Sequence, residues 1–107
     1  MRWRVEFLDD AIMATLRAFP KDIRGSFERI VRLIEANGLD RVHEPYVKHL
    51  EGPLWEMRLK GRDGIARAVY VMATGSRVVV VHVSGKKTQK TPRREIEKAP
   101  ERAREVR

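Results

Sequence analysis

The residues of this chain with the most chemistry in them are cations, and they fall in three places. Arg58 and Lys60 alternate with Trp55, Met57 and Leu59, and Arg62 closes that run. Arg67 stands in Ala66-Arg67-Ala68-Val69-Tyr70. Lys86, Lys87, Lys90, Arg93 and Arg94 crowd one segment, with no acid until Glu95. An arginine presents a rigid fork that fits phosphate through two parallel hydrogen bonds and keeps its charge at any relevant pH. Lys90, Arg93 and Arg94 read as contacts to a phosphate backbone, weak singly, additive and salt-sensitive. Lys86 and Lys87 lie among like charges that disfavour protonation, one route to a lysine general acid or base.

Each reading has a plainer alternative. Arg58 and Arg67 would equally suit a cross-strand ion pair with Glu56 or a solvated sheet face. Lys86 and Lys87 would suit an exposed pair. His82 is read on the face of Val78 and Val80, either as a core or edge histidine bonded to a carbonyl or as a catalytic one. Tyr70 can stack on a base or donate a hydrogen bond, although such a tyrosine more often sits in a core with its hydroxyl at the rim. Trp55 is assigned to packing. His43 and His49 match no metal-ligand spacing, and with no cysteine there is neither a disulfide nor a thiolate zinc site. No glycine-rich phosphate loop, paired carboxylates or nucleophile motif occurs, so catalysis would have to be cationic. Neither a metal nor a small-molecule cofactor is expected.

The net charge of +8 is one-sided. Lys/Arg and Asp/Glu balance through residue 54, and the excess is +3 over residues 55–85 and +5 over residues 86–107. A one-sided excess favours a polyanionic partner over mere solubility. The N-terminal Met1-Arg2-Trp3-Arg4 is charged where a signal peptide needs an apolar core, and no apolar run approaches the ~20 residues that span a bilayer. A soluble, cytoplasmic protein without a membrane partner is expected.

The elements that must position these cations follow from periodicity. Residues 2–8 alternate as a half-buried strand. Asp9 and Asp10 cap a helix carrying Ile12, Leu16 and Phe19. Pro20 opens a second helix, with Ile23, Phe27, Ile30, Val31 and Ile34 on one face and an αL stop at Asn37-Gly38. Residues 39–53 read as loop. Strands follow at 54–60, 65–72 and 78–83, with turns at Asp63-Gly64 and residues 73–76; Thr91-Pro92 opens a final helix that Pro100 interrupts. The expectation is one α+β domain over residues 1–107 in the order β-α-α-β-β-β-α. Its mostly antiparallel, twisted, four-stranded sheet carries a helical hairpin on one face and a short C-terminal helix. The other face should be partly open, with Glu56, Arg58 and Lys60 on it and Arg58 near Arg67 across the hairpin.

Leu54-Trp55-Glu56-Met57-Arg58, Ala66-Arg67-Ala68-Val69-Tyr70, the valine strand and Lys86-Lys87-Thr88-Gln89-Lys90-Thr91-Pro92 followed by Glu95-Ile96-Glu97 resemble, in that order, the RelE/ParE toxin superfamily. The closest branch is the phage-derived, HigB-like one, and the likeness covers about residues 3–105. It implies the toxin of a bacterial type II toxin–antitoxin pair, with two neighbouring activities on one fold. RelE- and HigB-like toxins are ribosome-dependent mRNA endoribonucleases (mRNA interferases) that work without metal by 2′-hydroxyl attack; ParE-like toxins inhibit DNA gyrase without nuclease activity. The implied partners are the ribosome, mRNA and an adjacently encoded antitoxin, expected to be a helix-turn-helix protein. By position, Arg67 matches the family's transition-state arginine, Arg58 a basic residue on the preceding strand, and Lys87 a basic residue after the last strand. Glu56 stands where the best-studied RelE branch has lysine, and Arg93 roughly where some relatives have tyrosine. The acid and base are therefore unassigned, with His82 and Lys86 as candidates; Lys60, Arg62, Tyr70, Lys90, Arg93 and Arg94 are the expected RNA contacts.

Overall fold

The computed structural model describes residues 3–42, 46–62 and 64–86. The expected C-terminal helix and the side chains of Lys87, Lys90, Arg93 and Arg94 lie outside the described residues.

A short strand, β1 (Arg4–Phe7), leads into α1 (Asp10–Arg17). The Ile12 N–H donates to Asp9 Oδ1 at 2.9 Å, so Asp9 is the cap. Pro20 precedes α2 (Lys21–Asn37), whose Ile23, Phe27, Ile30 and Ile34 form the buried stripe that the spacing predicts. Gly38 ends α2 with φ +86° and ψ 151°, a positive-φ conformation open chiefly to glycine but not the expected αL one. A Cβ there would lie 3.5 Å from Trp3 Nε1, an ordinary contact, so the positive φ and not lack of space is what favours glycine. Among the described residues no helix is long and apolar enough to cross a membrane.

The sheet has five strands where four were expected. Its order is β1-β5-β4-β3-β2, with β2 at Val47–Glu51, β3 at Leu54–Gly61, β4 at Gly64–Ala73 and β5 at Arg77–Lys86. The added strand, β2, lies within the segment read as loop. Its two apolar residues, Val47 and Leu50, are three apart across a register shift, so the segment between Pro45 and Gly52-Pro53 shows no alternation. It pairs antiparallel with β3, as β3 does with β4 and β4 with β5; β1 alone runs parallel, beside β5. Such a parallel neighbour requires a long crossover, and the segment holding the helical hairpin lies on that path.

One face of the sheet takes the helices. Met57, Leu59, Ala66, Ala68, Tyr70, Val78, Val80 and Val83 join the stripes of α1 and α2 there, and the rings of Phe7 and Phe27 lie 5.5 Å apart. Burying each such Leu, Ile or Val stabilises the fold by about 1.5–3 kcal/mol. The opposite face has an apolar group of its own: Leu54, Val69, Val71, Val79 and Val81, all buried. This face was expected to be partly open, and that part of it is closed.

The helix layer packs tightly on the sheet at Gly61. A Cβ on Gly61 would stand 2.5 Å from Ile23 Cγ1. The Arg62 N–H donates to Asp22 beside it, and this bond chiefly holds the Asp22 carboxyl below the usual carboxylate range. Gly61→Ala therefore overpacks buried Ile23 and should cost about 1–3 kcal/mol in a urea unfolding midpoint. An unchanged midpoint would show that α2 is free to lift from β3.

Candidate functional site

The hairpin of β3 and β4 sets Arg58 directly opposite Arg67, the two residues that hairpin pairing was expected to bring near each other. Two like charges so placed repel each other. The residue that resolves this is Glu56, two positions before Arg58 and therefore on the same face. Its Oε1 lies 3.5 Å from Arg58 Nε and its Oε2 3.7 Å from Arg67 Nε. One carboxylate thus bridges two guanidiniums. The ion pair that was only an alternative reading is present, and the two arginines converge through it.

The members differ in access. Glu56 and Arg67 are each 1 % exposed, whereas the Arg58 side chain is 23 % exposed. The expectation of Arg67 as a phosphate ligand on an open face needs correction to that extent. Its strand lies inside the sheet, between β3 and β5, and its guanidinium is buried against Glu56. Arg58 is the fork that meets solvent.

His82 reaches this site by a route that alternation cannot anticipate. Val69 is paired with His82 but Tyr70 with Val80, so Val81 is an extra residue in β5, a β-bulge. The bulge reverses parity. His82 therefore shares a face with Val79 and Val81, not with Val78 and Val80, and Val83 instead joins the helix-covered core. Beyond the bulge Ser84 pairs with Arg67, and Lys86 pairs with Ile65, which in turn faces Lys60 in the register. Cross-strand rows of Glu56, Val69 and His82, and of Arg58, Arg67 and Ser84, make a polar end to an otherwise apolar face. Ser84 was not anticipated; once the bulge is placed, the register alone locates it.

Tyr70 does not join them. It is 1 % exposed in the helix-side core, and burial pushes its hydroxyl well above the ordinary tyrosine range. The base-stacking role expected for it is incompatible with that position. Trp55 packs against the same core and against the His49 ring at 4.9 Å, as its assignment to packing predicts. Lys60 and Arg62 are exposed at the end of β3. Lys87, Lys90, Arg93 and Arg94 lie outside the described residues. Among those described, no three His, Cys, Asp or Glu side chains gather as a metal site would require.

This sheet, with its helical hairpin, is the fold of RelE toxins. A RelE from the archaeal RelE–RelB complex of Pyrococcus horikoshii OT3 superposes with a TM-score of 0.62 at 21% identity, over 84% of this chain and 100% of its own. A mutant E. coli toxin RelE in the free state gives 0.63 at 20% identity, over 95% of this chain and 98% of its own. Curated protein sequences gave no match. The family described as Phage derived protein Gp49-like matches residues 14–104, and the chain belongs to that family. The expected superfamily and its phage-derived character are borne out.

Proposed function

We propose that this chain is the toxin of a type II toxin–antitoxin pair, acting as a ribosome-dependent mRNA endoribonuclease. The observation that carries the reading is the Glu56 carboxylate bridging Arg58 and Arg67 on the sheet face that also holds His82. It is supported by the RelE fold and by the excess of cations in the second half of the chain.

The reaction sends a 2′-hydroxyl oxygen against the adjacent phosphorus. The P–O5′ bond breaks, leaving a 2′,3′-cyclic phosphate and a 5′-hydroxyl. The hydroxyl proton goes to a base, and an acid supplies one to the departing 5′-oxygen. Arg58 binds the phosphate and meets the charge that grows on its oxygens; a donor of this kind typically contributes 10²–10³-fold in rate. Arg67 acts behind it, by holding Glu56 and through Glu56 the Arg58 fork. His82 and the lysines Lys86 and Lys87 are the groups we propose for proton transfer, with Lys90, Arg93 and Arg94 gripping the message. An antitoxin with an acidic surface covers this cationic region, as RelB accompanies RelE in the archaeal complex.

Primer extension on mRNA from a purified translation system tests the reading. Cleavage is expected only with ribosomes engaged, and should be lost with Arg58→Ala. Intact message in a reaction whose translation continues at full rate would overturn it.

A further inference from the structure

At the corner where α2 passes the end of β3, the surface encloses a pocket of about 100 Å³ lined by Ser26, Arg29, Ile30, Tyr46, Arg58 and Lys60. It exists because two strands differ in length. The register of β2 on β3 runs no further than Val47 opposite Met57, while β3 continues to Gly61. One more link, from the Arg58 N–H to the Tyr46 carbonyl at 2.8 Å, fixes Tyr46 beside Arg58. Beyond it α2 closes the gap, tied down where Ser26 Oγ donates to the Lys60 carbonyl at 2.7 Å. Ile30, buried, is the apolar part of the wall.

Three of the six lining residues are cationic and none is acidic. Arg29 and Lys60 are exposed, and among the described residues neither takes part in an ion pair. Tyr46 is 39 % exposed, although a ring of that size gains by burial. Arg58 is answered by Glu56, but no carboxylate lines the pocket beside Arg29 and Lys60, so bringing these two to it adds repulsion and nothing to the fold. A ligand with a phosphate and an aromatic face would gain from both parts, since bases stack on exposed aromatic rings whatever their identity.

We propose that this pocket is a subsite for one nucleotide of single-stranded RNA. Its phosphate sits between Arg29 and Lys60, and its base lies across Tyr46 at the mouth. The pocket shares Arg58 with the Glu56–Arg67 cluster, so the strand turns round the sheet edge from one to the other. The proposal rests on the reading of that cluster as the site of RNA cleavage and adds to it a place for the neighbouring nucleotide.

The test is fluorescence anisotropy with a labelled 2′-O-methyl oligoribonucleotide, which lacks the attacking hydroxyl and stays intact. Tyr46→Ala should weaken binding by about 5- to 150-fold, and Tyr46→Phe should bind nearly as the parent does. Arg29→Ala and Lys60→Ala should each lower the slope of log K against log salt by about 0.7. All three sites are exposed, so the variants should fold, which circular dichroism checks. Equal affinity and equal slope across the series would overturn the subsite. So would polyglutamate binding that needs Arg29 and Lys60 while RNA binding does not, which would assign the pocket to an acidic protein segment. Message cleavage by the unsubstituted chain separates this proposal from its parent. Tyr46-dependent RNA binding with intact message supports the subsite and removes the nuclease; cleavage with unchanged oligonucleotide affinity removes the subsite alone.

Discussion

Glu56→Ala should destabilise the protein by about 3–5 kcal/mol, the cost of leaving a buried charge without its partner. Arg67 is 1 % exposed and lies directly opposite Arg58, so removing the carboxylate leaves two guanidiniums facing each other with one of them out of water. Arg67 cannot turn to water, because its strand lies between β3 and β5 and its side chain is buried. Glu56→Gln keeps the shape and loses the charge, and should fall between the alanine variant and the parent. The informative comparison is the double variant Glu56→Met/Arg67→Met. Replacing a buried ion pair by apolar residues of similar volume is often neutral or stabilising, so the double variant should unfold at or above the parent's urea midpoint. Its message cleavage should nevertheless be lost, since Arg58 then lacks the carboxylate that holds it. That outcome would separate the role of the pair in folding from its role in positioning. Glu56→Ala with a loss under about 1 kcal/mol would mean that the bridge behaves as a solvated pair in spite of its burial.

The legibility of this site in the sequence depended on the range of the information needed. Arg58 near Arg67 was readable because a short hairpin brings together the residues on either side of its turn, although Gly61 pairs with Gly64 where an Asp63-Gly64 loop would have set Lys60 opposite Arg67. The helices were readable for the same local reason: caps, proline and a four-three-four apolar spacing all lie within one element. His82 was misplaced by a single inserted residue. Val78 to Val81 are four identical side chains, and nothing distinguishes the bulge residue from its neighbours; only the register with β4 does. The burial of Glu56 and Arg67 was hidden differently. Alternation shows which face a residue occupies but not whether that face is covered, and the second apolar group of Leu54, Val69, Val71, Val79 and Val81 forms only when three strands are side by side. Only the run from Val78 to Val81, apolar on both faces of its strand, pointed to burial on both sides.

Arg58→Ala should lower ribosome-dependent cleavage by about 10²–10³-fold, the range for removing one donor aimed at developing transition-state charge, while costing little stability. The asymmetry follows from exposure. The Arg58 side chain is 23 % exposed and its 3.5 Å contact with Glu56 is partly solvated, so the ion pair is worth about 1 kcal/mol or less. Removing Arg58 also ends its repulsion with Arg67 and leaves Glu56 paired with the buried arginine, which offsets part of the loss. Arg58→Lys should restore binding better than rate. Lysine keeps the charge but replaces a planar fork, held by Glu56 at one end, with a flexible point charge. The loss for lysine should therefore lie mostly in kcat and that for alanine in both kcat and KM, read from single-turnover cleavage at varied toxin concentration. Equal rates for all three side chains would move the phosphate contact away from Arg58. A stability loss in Arg58→Ala as large as that in Glu56→Ala would show that the exposed arginine is a structural member of the bridge and that its charge is not available to RNA.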